Sequence, residues 1–270
     1  MFYRDRKNKA IEAFRKAESI YNDKGTLVKH KTLELYGLRK GCSVAINNVM
    51  AYLTLLANSP QNYKEEVESV QDSIEDFNQA VKKEEEKSSG QLIDAKIVVS
   101  GITEGSVWKS GLTMEMLMAY RTTFGPEFYR MASALHGIAT YGAFAWLSSG
   151  IMGAGLSILR FGGPVGWGIA GILSIGCGLM ASQKNREIAE EAERALHTIT
   201  PKIADMEHKL QELENLCTET DKLLPAIDIN KVCGSFPKNY YEFTDDQKLR
   251  LGALINSTKA MGVLINKQIS

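Results

Sequence analysis

Gly166-Trp167-Gly168-Ile169-Ala170-Gly171 spells GxGxxG, the lettering of a dinucleotide-binding turn. The chemistry it would serve is a pyrophosphate held against a helix N-terminus. That use requires a strand before the glycines, a helix opening after them and a downstream acid within a βαβ unit. This chain offers no alternation of strands with helices, and its glycines continue past the match. The pattern therefore does not point to a nucleotide.

The other reactive residue types are scattered. His30, His136, His197 and His208 lie far apart. Cys42, Cys177, Cys217 and Cys233 show no CxxC spacing and have no histidine neighbours, so neither zinc nor a disulfide frame is indicated. There is no HExxH, no GKS/T loop and no GxSxG elbow. The acidic run Glu84-Glu85-Glu86 reads as a solvated helix end. We therefore expect no catalytic residue, metal, cofactor or small-molecule substrate, and no enzyme activity. The 270 residues carry zero formal net charge, which argues against a dedicated nucleic-acid binder. The N-terminus, Met1–Lys7, has no apolar core and no small-residue cleavage site. No secretory signal is expected, and the chain is placed in the cytoplasm and/or at a membrane.

A different chemistry is written into Met131–Ser182. Its only formal charge is Arg160 and its only histidine is His136. The stretch is more than twice the ~20 apolar residues that a membrane helix needs. Small residues recur at every fourth position: Ala145, Ser149, Gly153 and Ser157, then Gly162, Gly166, Ala170, Ser174 and Gly178. A step of four places them on one helix face, and smooth faces let two backbones approach closely, as in membranes. Between the two stripes, Arg160-Phe161-Gly162-Gly163-Pro164 is a breaker. The pattern predicts a helical hairpin: Met131–Leu159, a turn at Arg160, Gly162, Gly163 and Pro164, and Val165–Ser182. Arg121 and Arg130 precede it, and Lys184 and Arg186 follow it. The positive-inside bias keeps such flanks on one side of a bilayer, with Arg160 reaching the far interface. Protonation of His136 below neutral pH would oppose insertion; a histidine at an interface or core edge is the ordinary alternative. The same hairpin would also serve as the buried centre of a soluble bundle, although glycine is a poor helix former there.

The remaining elements must carry this hairpin. Ala10, Ala13, Phe14, Ala17 and Tyr21 predict a helix over 5–22, interrupted at Asp23–Thr26. Leu35, Leu38, Cys42, Ala45, Val49, Tyr52 and Leu56 then step by three and four, the spacing of a coiled-coil-like face. Ser59 is expected to cap the next helix with Pro60 at its first position. That helix carries Tyr63, Val67, Val70, Ile74, Phe77 and Val81. Residues 91–130 fit a small strand pair or a continued helix at Ile97–Val99, then a helix over Gly111–Thr123 ending at Gly125-Pro126. After Ser182, a seam from Ala189 to Leu224 covers about five heptads, with a kink or short break near Thr200 caused by Pro201. Thr244-Asp245-Asp246-Gln247 is a capping-box pattern that opens a last helix with Leu251, Leu254, Ile255, Thr258, Gly262 and Ile265. The expected fold class is all-α: an elongated bundle of long antiparallel helices with a central apolar hairpin. Its parts are an N-terminal helical hairpin (1–90), a connecting segment (91–130), the apolar hairpin (131–182) and C-terminal bundle helices (183–270).

Several of these residues carry a resemblance. They are Gly163-Pro164-Val165-Gly166-Trp167, Lys184-Asn185-Arg186-Glu187-Ile188-Ala189, Leu251–Asn256 and Leu264-Ile265-Asn266. Together they resemble an uncharacterised family of bacterial helical proteins with a Gly/Ala-rich membrane hairpin. The architecture is also similar to α-helical pore-forming toxins of the haemolysin E type. The resemblance implies an apolar segment sheltered in a soluble form and inserted on assembly. It implies a lipid membrane and further copies of the chain as partners, and no catalytic residues.

Overall fold

In this computed structural model, residues 2–75, 77–79, 81–82, 113–136 and 181–269 are described. They form an all-α fold of long helices joined by turns. Among them the one β-type pairing is an isolated bridge between Ala57 and Asn239. Their contacts fall into two units. Described residues of Met1–His30 and Pro126–Gln211 belong to the first; those of Lys31–Leu92, Met114–Gly125 and Glu212–Ser270 belong to the second.

Helix α1 runs unbroken over Phe2–Leu55. The interruption expected at Asp23–Thr26 is absent. Gly25 serves a close approach instead: a Cβ there would lie 3.2 Å from Leu135 Cδ2. The Thr26 hydroxyl donates to the Asn22 carbonyl and stays within the helix. In the first unit α1 packs on helix α5 (Ala181–Leu223) through small residues, with Ala10 against Ala189 and Ala192. Ala13, expected on this face, is exposed. Arg6 grips Glu193 with both prongs at 2.9 and 2.7 Å, and Lys24 meets Glu207 at 3.0 Å. Partner numbers rise together, so the two helices point the same way. These ion pairs lie at the surface, where such pairs contribute little stability and chiefly report the register. Pro201 sits inside α5 without ending it. Proline removes one N–H and leaves the His197 carbonyl unserved. His197 and Pro201 are both exposed, so water can meet that carbonyl.

In the second unit α1 and helix α2 (Gln61–Ser73) form the antiparallel hairpin that the two seams require. Asn47 accepts from Gln71 at 2.8 Å, Ser43 bonds Asn78, and the Tyr36 and Phe77 rings meet edge-on at 5.9 Å. The turn uses Asn58 at φ +57°. Pro60, in extended conformation, stands at the cap with Gln61 first in the helix, one residue later than expected. The Ser59 hydroxyl is buried and makes no cap. Val67, Val70, Ile74 and Phe77 are buried as their spacing demands.

Helix α3 (Met114–Phe124) ends in a 3-10 turn, Gly125–Glu127, ahead of helix α4 (Phe128–His136). A short helix α6 (Ile229–Cys233) follows α5. Helix α7 (Asp245–Asn266) opens with the capping box in place: Thr244 Oγ1 accepts from the Gln247 amide, and Gln247 Oε1 accepts from the Thr244 amide. All six core residues expected of α7 are buried. Helix α7 lies beside α2 in the same direction. Tyr63 faces Gly252, Glu66 pairs with Lys259 at 3.5 Å, and Ser73 accepts from Asn266 at 2.8 Å.

Two glycines test this packing with opposite signs. A Cβ on Gly262 would sit 2.6 Å from Val70 Cγ1, whereas one on the exposed Gly37 would meet nothing within 4 Å. Gly262→Leu should cost about 1–3 kcal/mol through overpacking. Gly37→Ala should stabilise by about 0.5–1 kcal/mol through helix propensity. Urea unfolding midpoints of the two variants should move in opposite directions.

Candidate functional site

The stripe residues Ala145, Ser149, Gly153, Ser157, Gly162, Gly166, Ala170, Ser174 and Gly178 lie outside the described residues, as do the turn residues Arg160, Gly163 and Pro164. The helices that lead into and out of the apolar segment are described. On α4, Phe128, Met131 and Ala132 are buried. Arg130 is exposed and meets Glu127 at 3.4 Å. On α5, Arg186 meets Glu190 at 2.8 Å. Sequence reasoning missed Lys202, whose ammonium burial and the neighbouring Arg130 cation push below its ordinary range. The basic character before the apolar segment thus has a second contributor, from α5.

A more consequential polar site lies in the second unit and had no sequence prediction. Arg39 is fully buried. No carboxylate pairs with it among the described residues. Its Nη1 donates to Thr122 O at 3.0 Å, at the end of α3. Its Nη2 donates to Leu264 O at 3.3 Å and to Lys267 O, at the end of α7. Helix C-termini carry unpaired carbonyls and partial negative charge, so one cation here serves two helix ends. Burial pushes the guanidinium pKa down to about 10, which leaves it protonated at neutral pH. The buried face of α1 runs Leu35, Arg39, Cys42, Ile46, Val49 and Leu53, with Leu56 buried just past its end. Leu38 and Ala45, expected on the seam, sit at its margin. A charge in the middle of an apolar stripe hid its true centre.

Burial drives the thiols away from reactivity. It raises Cys42 to about 12, and both Cys217 and Cys233 to about 11. Cys217 donates weakly to the Lys31 carbonyl at 3.8 Å. Among the described residues no group of three or more His, Cys, Asp or Glu converges to hold a metal. An open groove of about 820 Å³ runs between α2 and α7 over Val70, Gly262 and Val263, bridged by Glu66 and Lys259. It has an apolar floor, with Glu65, Glu66, Lys259 and Lys267 along it.

No family model, no curated protein and no solved structure matches the chain. Among the described residues no helix is long and apolar enough to cross a membrane.

Two outcomes follow. Arg39→Met should lower stability by about 1–3 kcal/mol, because it removes charge-assisted hydrogen bonds to the carbonyls of two helix ends; chemical denaturation measures it. Cys42, Cys217 and Cys233 should react with a thiol reagent at pH 8 roughly a hundredfold slower in the native protein than in denaturant, since the thiolate is the nucleophile.

Proposed function

We propose that this chain is a membrane-associated helical protein that inserts its 131–182 hairpin into a bilayer, and that assembled copies form a pore. The observation that carries this reading is the composition of Met131–Ser182: one formal charge over the whole stretch, with small residues at fourfold spacing on both halves. A segment of that length and smoothness matches the needs of two packed membrane helices. The flanks support it. Arg130 precedes the segment and Arg186 follows it in the second turn of α5, so both ends carry cations suited to one interface. The resemblance to bacterial helical proteins with an apolar hairpin, and to haemolysin E-type toxins in plan, favours the same reading by analogy of architecture, a weaker warrant than a site. On this reading the partners are a lipid membrane and further copies of the chain, and the protein resides in the cytoplasm, at a membrane, or in both.

Purified protein should float with liposomes and release an entrapped dye. Gly166→Leu and Ala170→Leu should abolish release while leaving the helical circular dichroism unchanged, because a bulky side chain keeps the two stripes apart. Full release by both variants would remove the stripe from the mechanism. Monodisperse protein with no vesicle binding would instead make 131–182 the core of a soluble interaction scaffold.

A further inference from the structure

We infer that the Nε edge of Arg39 and the hydroxyl of Thr123 form a buried binding site for a small monovalent anion of chloride size. The site lies wholly within the second unit and needs nothing from the membrane reading above.

Arg39 donates from Nη1 to Thr122 O and from Nη2 to Leu264 O and Lys267 O. All three acceptors serve the Nη end of the guanidinium. Its Nε–H is buried as well and has no hydrogen-bond partner among the described residues. Thr123 directly follows Thr122, whose carbonyl Arg39 holds. Thr123 is fully buried, and its Oγ1 also lacks a partner among the described residues. A threonine inside a helix can return its hydroxyl hydrogen to a carbonyl one turn back. Thr122 does so, donating to Met118 O at 2.9 Å and to Ala119 O at 3.2 Å. The buried Thr258 does so too, to Leu254 O at 2.8 Å. Thr123 does not. Two unserved donors, an N–H on α1 and an O–H at the end of α3, therefore belong to the same buried neighbourhood.

That neighbourhood also lacks a formal negative charge among the described residues. Carbonyls satisfy hydrogen bonds as dipoles but carry no net charge. The groups that bear electrostatically on Arg39 are the Cys217 and Cys42 thiols. Burial raises them to about 11 and about 12, so both are neutral at neutral pH. A buried ion is costly unless a counterion accompanies it. A water would serve the hydrogen bonds but not the charge. A chloride ion accepts from both donors and cancels the single positive charge. Larger oxyanions bring more acceptor atoms than two donors can serve.

The test uses the full chain, with chloride as the probe. Urea unfolding is followed at fixed ionic strength while chloride replaces gluconate, which is too large for the site. A ligand of the folded state alone raises the folded-to-unfolded ratio about tenfold for each tenfold of free ligand beyond its dissociation constant. The wild-type midpoint should therefore climb with chloride. Thr123→Val keeps the outline of the side chain and removes one donor. In gluconate its midpoint should match or exceed that of wild type, since a buried unserved hydroxyl does not stabilise the fold. Its response to chloride should move to about tenfold higher concentration, the loss expected for one hydrogen bond to a charged group. Crystals grown in bromide should show an anomalous peak within hydrogen-bond reach of Arg39 Nε. Equal midpoints in chloride and gluconate, an unaltered chloride response in Thr123→Val, or an ordered water in place of bromide would each overturn the site. A bromide peak with no effect in solution means binding at crystal concentration only and overturns it as well.

Discussion

One guanidinium, buried with no carboxylate paired to it among the described residues, joins two helix ends in the second unit. Taking a cation out of water is costly, and a lone buried charge is ordinarily untenable. Arg39 is tolerated because Thr122, Leu264 and Lys267 present carbonyls to it at two helix ends, although the Leu264 carbonyl also accepts from the Lys267 amide. Each side cancels the other's deficit: the cation needs acceptors, and the helix ends need donors. The planar fork of arginine is suited to this, because its donors diverge at fixed angles toward separate acceptors. Apolar packing around Leu251, Leu254 and Ile255 favours burial but is not directional. It would accept α7 shifted along its neighbours. The carbonyl bonds would not, so α3 and α7 are fixed in register by hydrogen bonds more than by the core.

What the sequence made legible follows from the range of the interactions involved. The start of helix α7 was readable to the residue, because it is a local device, Thr244 with Gln247, and its face was readable because it repeats at helical spacing. The seam of α2 was readable for the same reason. Gly25 was not: set among Asn22, Asp23 and Lys24 it looks like a turn, and only Leu135, brought in by the tertiary fold, explains a glycine inside a helix. Arg39 was not, because its partners are main-chain carbonyls, which have no signature in a sequence. Of the candidate site, the small-residue stripes lie outside the described residues, and the Arg130 and Arg186 flanks are read from charge alone. Lys202 beside Arg130, and Ile269 on Thr123, depend on contacts between distant segments and left no local trace.

The direction of α5 bears on how an apolar segment can be carried by the frame. In the first unit α5 runs alongside α1 in the same direction, from Arg6 with Glu193 to Lys24 with Glu207. The second unit repeats the relation, from Lys31 with Cys217 to Gly41 with Leu224. Two neighbours that point the same way cannot be joined by a tight turn; the chain between them must return along their length. In the chain, residues 131–180 fall between Leu55 and Ala181. The described contacts that register α1 on α5 use Arg6, Ala10, Lys24, Ala189, Ala192, Glu193 and Glu207, and none of them belongs to the apolar segment. On the proposed reading this division matters. Insertion of that segment would leave these α1–α5 contacts in place, but it would give up the close approach of Leu135 to Gly25 of α1, so part of its cost falls on α1.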